Sequence, residues 1–325
     1  MIKAVRVHKH GGPEVLTYED VELEKPGAGE VRIRHTAIGL NFIDCYFRTG
    51  LYPAPNGLPF IPGNEAAGEV VALGEGVSGL AVGARIAYAG PLGAYAQERN
   101  IAADKIVKTP DAIGDEEAAA MMLKGMTAEY LLLRTYPVKA GDVVLNHAAA
   151  GGVGLILGQW AKHIGATIIG TAGSPEKVAL AKAHGYDHVI DYSKENFVEA
   201  VAEITGGKKC DVVYDSVGKD TFEGSLDCLK PRGMFVSFGN ASGPVPPFAP
   251  TLLSQKGSLF VTRPTLFTYI ATRPELEASA GALFDVVSSG AVKINVNQRY
   301  QLKDAAQAHT DLEGRKTSGA TVLLT

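Results

Sequence analysis

The sequence predicts an α/β chain in which a doubly wound parallel sheet is inserted into a β-rich unit. Three observations predict it. From about residue 123 apolar strand-like runs alternate with helical patterns, whereas the residues before it are short β-type runs broken by Gly and Pro. A glycine-rich turn joins the first of the alternating strands to the helix that follows it.

In the β-rich part the strand candidates are IKAVRVH (2–8), EVRIRHTAIG (30–39), EAAGEVVALG (65–74) and ARIAYAG (84–90). Such spacing suggests a partly closed barrel. The stretch 51–62 holds four prolines and a glycine and reads as a covering loop. Beyond residue 123 the strands are DVVLNHA (142–148), ATIIGTA (166–172), DHVID (187–191), DVVYDS (211–216), MFVSFG (234–239) and SLFVT (258–262). Helical patterns lie between the first five, and parallel neighbours need such crossovers. After residue 264 an amphipathic helix, a short helix and a last strand (ATVLL) remain, too little for a third core. They are assigned back to the first part, so the expected domains are 1–122 with 265–325, and 123–264, with a cleft between two lobes.

Composition agrees with a folded chain: 46% of residues are hydrophobic and 20% charged. The net charge of −4 leaves no global basic field for a phosphate backbone, so nucleic-acid binding is not expected. The N-terminal MIKAVRVHKH lacks the apolar core of a signal peptide, and no apolar run is long enough for a membrane helix, so the expected address is cytoplasmic. Cys45, Cys210 and Cys228 are too scattered for a disulfide framework or a closed cysteine-rich zinc site, and reduced thiols suit that address.

The run AAAGGVG, Ala148 to Gly154, follows the strand DVVLNHA and opens the helix GLILGQWAKHIG. In this context Gly151 permits the tight turn, Gly152 lets the backbone approach a pyrophosphate, and Gly154 allows close helix–strand packing. The helix N-terminus then presents N–H groups and a positive dipole end to the phosphates. The next strand selects the nicotinamide cofactor, because an acid at its end would bond the ribose 2′-OH of NAD and repel a 2′-phosphate. The segment Gly170 to Gly173 contains no acid, while Ser174 and Lys177 can donate a hydroxyl bond and a charge. NADPH is therefore expected. Ser174-Pro175-Glu176-Lys177 is also a good helix start, and capping can coexist with phosphate binding at one helix end.

Metal chemistry is the main competitor. There is no HExxH, and His184 and His188 are interrupted by Gly185, which argues against ligation one helical turn apart. His147 stands just before the glycine run but reads better as a strand-end packing residue. The chain also lacks a Y-x-x-x-K pair, a Walker A sequence and a G-x-S-x-G elbow.

Eight segments together carry a resemblance: HKHGGPEVL, AIGLNFIDCYFRTGLYP, IPGNEAAGEV, HAAAGGVGLILGQWAK, GTAGSPEK, KCDVVYDSVGKDTF, MFVSFGNASG and KGSLFVTRPTL. With them the chain resembles, over nearly its whole length, the zinc-independent quinone oxidoreductases, relatives of zeta-crystallin within the medium-chain dehydrogenase/reductase superfamily. The resemblance implies a GroES-like β-fold carrying a Rossmann domain, and a homodimer joined through the strand SLFVT of the cofactor domains. Zinc-using relatives would place a ligand thiol near Asn41 and a ligand histidine near Asn64, and both positions here hold amides. The resemblance further implies a nicotinamide end near Asn41, Tyr46, Thr127 and Val261-Thr262-Arg263. It puts the pyrophosphate on Ala150, Gly151, Gly152 and Val153, and adenosine near Gly173, Ser174, Lys177 and Tyr192. Further cofactor contacts are implied at Ser216, Val217, Phe238, Gly239 and Asn240, with Lys316 in the phosphate environment. Tyr46 and Tyr192 are equally readable as half-buried aromatics, and Asn240 as a turn residue.

The expected activity is NADPH-dependent reduction of a quinone without a metal, because the product oxyanion is far less basic than an alkoxide. Tyr46, Tyr52 and Asn41 are the candidates to hydrogen-bond a quinone oxygen. Two rivals stand beside it: reduction of α,β-unsaturated ketones or aldehydes on the same scaffold, and a non-catalytic NADPH-binding protein.

Overall fold

The alternating apolar runs form one six-stranded sheet, with β1 (Val143–Asn146), β2 (Thr167–Ala172), β3 (His188–Asp191), β4 (Cys210–Asp215), β5 (Leu229–Ser237) and β6 (Phe260–Thr262). Every pair is parallel and the spatial order is β3-β2-β1-β4-β5-β6. The helices α1 (Gly152–Ile164), α2 (Pro175–Lys182), α3 (Phe197–Ile204) and α4 (Phe222–Asp227) make the first four crossovers. Leu145, Ile169, Val213 and Phe235 are wholly buried in the core under these helices. The order reverses between β1 and β4, so the loops at the carboxyl ends of the strands open around that point, where doubly wound sheets bind ligands.

This computed structural model describes residues 1–325 and divides into two units: Met1–Met126 with Ile270–Ser288 and Ile294–Thr325, and Thr127–Tyr269 with Ser289–Lys293.

In the second unit, small residues set how closely α1 approaches the sheet. The ring of Tyr186 is buried between Gly158 of α1 and Gly170 of β2: a Cβ at Gly158 would collide with it, and one at Gly170 would lie 2.6 Å from it. The Tyr186 hydroxyl donates to the Gly154 carbonyl at 2.8 Å and accepts from Asn146 Nδ2 at 2.7 Å. A Cβ on Gly154 would itself meet the Ala149 carbonyl at 2.6 Å. The predicted packing role of Gly154 is therefore seen, whereas the turn differs in detail. The left-handed residue is Ala148 (φ 56°), and Gly151 is extended (φ −80°). What Gly151 supplies is a lack of bulk beside the Ala148 carbonyl, 3.1 Å from where its Cβ would stand.

The first unit is built on a seven-stranded sheet. Its spatial order is Val296–Gln301, Ala320–Leu324, Glu30–Leu40, Glu65–Leu73, Arg85–Ala89 and Val107–Lys108, with Glu98–Ala102 also paired to Glu30–Leu40. Ile2–Val7 and Leu16–Val21 form a separate antiparallel pair. The predicted loop 51–62 has no helix or strand of its own, and near its end Phe60 packs with Val7 and Val15.

Three elements depart from the sequence expectation. Phe42–Thr49 is a helix, capped at Asn41 and closed by Gly50 in the left-handed region (φ 81°). Asp115–Tyr130 is a helix whose Ala118 to Met122 stretch is buried all round, so it carries no amphipathic period to read. Val296–Gln301 (VNQRYQ) is a half-exposed edge strand with too few apolar residues to signal itself.

Gly158→Ala is expected to lower stability by about 1–3 kcal/mol through overpacking against Tyr186. Thermal unfolding checks this, and an unchanged Tm would mean that the ring yields freely.

Candidate cofactor site and active site

The loops that leave the six parallel strands bring most of the predicted cofactor residues to one edge of the sheet. After β1 come Ala150, Gly151, Gly152 and Val153, after β2 Gly173 and Ser174, and after β3 Tyr192. Ser216 and Val217 follow β4, and Phe238, Gly239 and Asn240 follow β5. Val261 and Thr262 end β6 and Arg263 follows.

At β1 the chain turns through a Gly151 N–H to Ala148 carbonyl bond of 2.9 Å, and α1 starts with no side-chain cap. The N–H groups of Gly152, Val153 and Gly154 open the helix and have no acceptor within it, which is the arrangement that holds an anion. At β2, Ser174 caps α2 by accepting from the Lys177 N–H at 3.4 Å. Capping therefore coexists with whatever the Lys177 ammonium does. Tyr192 is 48% exposed, and its hydroxyl occupies the space that a Cβ on Gly173 would need. This gathers Gly173, Ser174, Lys177 and Tyr192 at one place. The nearest acid on a strand end, Asp191 of β3, is turned to its own loop: it accepts from the Ser193 hydroxyl at 2.6 Å and lies 3.1 Å from Lys194 Nζ.

At β4 the wholly buried Asp215 shapes the next loop. Its carboxylate accepts from the Val217 N–H (2.6 Å), the Gly218 N–H (3.0 Å) and the Thr221 hydroxyl (2.6 Å). The β5 loop leans on it, because a Cβ on Gly239 would collide with the Ser216 carbonyl. Arg263 donates to the Ser237 carbonyl at 3.1 Å. Thr127 is buried in the last turn of the helix Asp115–Tyr130. His147 has the packing role expected of it: its ring is buried, with Nδ1 3.0 Å from the Thr171 hydroxyl and Nε2 2.9 Å from the Ser225 hydroxyl.

In the first unit, Asn41, Tyr46 and Tyr52 lie around the helix Phe42–Thr49. Tyr46 and Tyr52 pack edge to face at 5.2 Å, and the Tyr52 N–H donates to the Tyr46 carbonyl at 3.1 Å. Asn41 is buried and its Nδ2 donates to the Gly39 carbonyl (3.3 Å) and to Glu65 Oε2 (2.8 Å). Both amide hydrogens are thus held inside the protein, and the oxygen, which faces the Asp44 N–H in the helix's capping box, is an acceptor rather than the donor expected for a quinone oxygen. Glu65 also accepts from the Leu123 N–H (2.7 Å) and from Lys124 Nζ (2.8 Å). Asn64 donates to the Gly90 carbonyl at 2.8 Å. Lys316 is exposed in this unit, 3.4 Å from the Asp311 carboxylate. A groove of about 750 Å³ between Gly76–Leu80 and the helix Arg273–Ser288 includes none of the predicted residues.

Beneath the Phe42–Thr49 helix runs a directional chain. A guanidinium can only donate, so Arg48 Nη1 gives to His309 Nδ1 (2.8 Å), His309 Nε2–H to the Tyr95 oxygen (3.0 Å), and the Tyr95 hydroxyl to Asp44 Oδ2 (3.0 Å). Burial, helped by Arg48, pushes His309 down to about 3 and keeps it neutral. Burial pushes the Asp44 carboxyl up to about 7, against the hydrogen bonds from Asn41 and Tyr95. Sequence alone does not single out Glu65, Lys124, Asp44 or Asp215. The one available signal is that each is a charged residue within or beside an apolar stretch.

A nucleotide-binding parallel sheet within a β-rich unit defines the medium-chain dehydrogenase/reductase class. Residues 27–140 match the alcohol dehydrogenase GroES-like domain, and residues 152–280 the zinc-binding dehydrogenase domain. The chain is 56% identical to a quinone oxidoreductase of Pseudomonas aeruginosa over the full length of both, and 48% identical to a 2-haloacrylate reductase of a Burkholderia species, covering 100% of this chain and 99% of that one. The crystal structure of Escherichia coli quinone oxidoreductase complexed with NADPH superposes with a TM-score of 0.97 at 51% identity, covering 99% of this chain and 100% of that one. The chain belongs to the quinone oxidoreductase family of that superfamily.

The features at the strand ends fit a dinucleotide: uncapped first-turn amides, glycines where backbones meet, and no carboxylate in 170–174. The zinc that one domain's description implies does not fit. Zinc takes thiolate, imidazole or carboxylate ligands, and no group of three or more His, Cys, Asp or Glu residues is placed to hold a metal ion. Beside Asn41 and Asn64, Glu65 is already bonded to the Lys124 ammonium, and Asp44 already accepts from the Asn41 N–H and the Tyr95 hydroxyl.

The raised Asp44 carboxyl has a measurable sign. Unfolded, it releases its proton near the ordinary carboxylate value of 3.8, whereas the folded state retains it to about 7. Between these values the native state binds more protons, so this group's contribution to stability falls as pH rises and levels off above 7. The difference in unfolding free energy between wild type and Asp44→Asn should therefore decrease from pH 4 to 7 in denaturant titrations; a flat difference would exclude the shift.

Proposed function

We propose that this protein reduces quinones with NADPH, and that the reaction requires no metal. The observation that carries this reading is the convergence of loops from six parallel strands on one sheet edge, with an uncapped helix N-terminus after the first strand and no acid in 170–174 at the end of the second. When bound, the dihydronicotinamide supplies the reducing equivalent.

The chain's own residues bind and orient. The first-turn amides of α1 hold the pyrophosphate, and Lys177 with Ser174 meets the 2′-phosphate while Tyr192 lies along the adenosine. The Ser216–Val217 and Phe238–Asn240 loops, held by Asp215 and by the contact of Gly239 with Ser216, line the path toward the nicotinamide. Tyr46 and Tyr52 give the quinone an aromatic edge and two hydroxyls, and Asn41 gives an acceptor. A hydroquinone anion is weakly basic, so hydrogen-bond donors suffice to stabilise it.

Two further features belong to this reading. Strand β6 pairs only with β5, and Phe260 on it is 57% exposed, which supports a homodimer formed by strand addition along that edge. The three cysteines are free and buried, as suits the cytoplasm. The 48% identity to a 2-haloacrylate reductase favours a second reading, in which an activated carbon–carbon double bond is the acceptor. NADPH oxidation measured in parallel with a benzoquinone, a naphthoquinone, an enone and 2-chloroacrylate separates the two. The quinones should turn over fastest and a chelator should leave the rate unchanged; a chelator-sensitive rate, or turnover of the acrylate alone, would reject the corresponding part.

Cofactor choice rests on Lys177. A charge-assisted bond is worth about 1.5–3 kcal/mol, so Lys177→Ala should reduce the preference for NADPH over NADH roughly 10- to 150-fold. The loss should shrink as salt rises, because an exposed phosphate–lysine contact is screened. Dissociation constants of both cofactors at two ionic strengths test this, and an unchanged ratio would leave Lys177 with only its place in the helix start.

A further inference from the structure

Glu65 is wholly buried and Lys124 nearly so, with Lys124 Nζ 2.8 Å from Glu65 Oε2. A pair taken out of water in this way persists only when its remaining hydrogen-bonding capacity is also met. Here the other donors to Glu65 are the Leu123 N–H (2.7 Å) and Asn41 Nδ2 (2.8 Å). Gly39 permits this meeting, because a Cβ there would collide with both the Glu65 carboxylate and the Ala119 carbonyl. A carboxylate has no hydrogen to give, so the Asn41 group facing it must be the NH2. The Gly39 carbonyl, another acceptor, imposes the same orientation.

We propose that Lys124 is a positioning residue. Its buried ammonium holds the Glu65 side chain in place, Glu65 fixes the amide of Asn41, and Asn41 therefore presents an oxygen acceptor to the bound cofactor or acceptor molecule. The lysine acts as an internal counter-cation within a cluster whose residues do not suit zinc. With a displaced group at 65 only the longer bond to the Gly39 carbonyl, 3.3 Å, would hold the Asn41 NH2, so the amide would turn more readily and offer a donor instead. The role rests on the reading that Asn41 borders the reacting molecules.

The test is a double-mutant cycle of Lys124→Met and Asn41→Ala in the full chain. It is read as kcat and KM for a benzoquinone, as the NADPH dissociation constant, and as the NMR signal of the Asn41 side-chain amide. Lys124→Met should lower kcat/KM about 10- to 100-fold, as loss of groups that orient a ligand does elsewhere. It should also move the amide signal, and it should add little in the Asn41→Ala background. If Lys124→Met fails to fold with Glu65 left charged, Glu65→Gln/Lys124→Met takes its place, with the same outcome expected because the amide replaces one of the two accepting oxygens, which receive the Leu123 N–H and Asn41 Nδ2, by an NH2 group. A full further loss in the Asn41→Ala background, or an unmoved amide signal, would overturn the positioning role and leave the site reading intact. Wild-type kinetics and NADPH affinity in Asn41→Ala alone would overturn the site reading, and the positioning role with it.

Discussion

The approach of α1 to its sheet is the constraint on which the cofactor unit depends. Tyr186 fills the space left by two glycines, and its hydroxyl joins Asn146 at the end of β1 to the Gly154 carbonyl in the first turn of α1. Strand end, turn and helix start are thereby tied to one buried ring. Any side chain on Gly154 or Gly158 would push the helix outward and carry the first-turn amides with it. A tight interior transmits such shifts instead of absorbing them.

The other sheet-edge loops are held by similar means, each suited to its place. Asp215 accepts three hydrogen bonds from one turn, so the Ser216–Val217 segment has a defined shape before any ligand arrives. In the first unit a neutral His309 and a tyrosine relay a fixed hydrogen-bond direction from Arg48 to Asp44, which in turn accepts from the Asn41 N–H. Buried polar groups of this kind specify geometry more than they add stability, because each is costly unless fully paired. Such preorganisation suits a reaction whose chemistry resides in a cofactor and whose protein must place it.

The parallel sheet was legible because buried strands leave continuous apolar runs, and the glycine turn because few residues tolerate that approach of helix and strand. The helix Asp115–Tyr130 was illegible for the opposite reason: buried on all sides, it carries no contrast between faces. Val296–Gln301 is an exposed edge strand and announces itself with no apolar pattern at all. The order of strands around β1 also lies outside any local pattern, since it depends on which faces the crossovers cover.

By itself the sequence determined the α/β class, the nucleotide turn and the absence of an acid in 170–174. All are properties of residue type at a local spacing. Tertiary structure alone decided that Lys124 and Glu65 meet at Asn41, that Asn41 is therefore an acceptor, and that burial raises Asp44. Those outcomes depend on partners from 3 to 59 residues apart along the chain and on the exclusion of water, and neither is encoded at any one position.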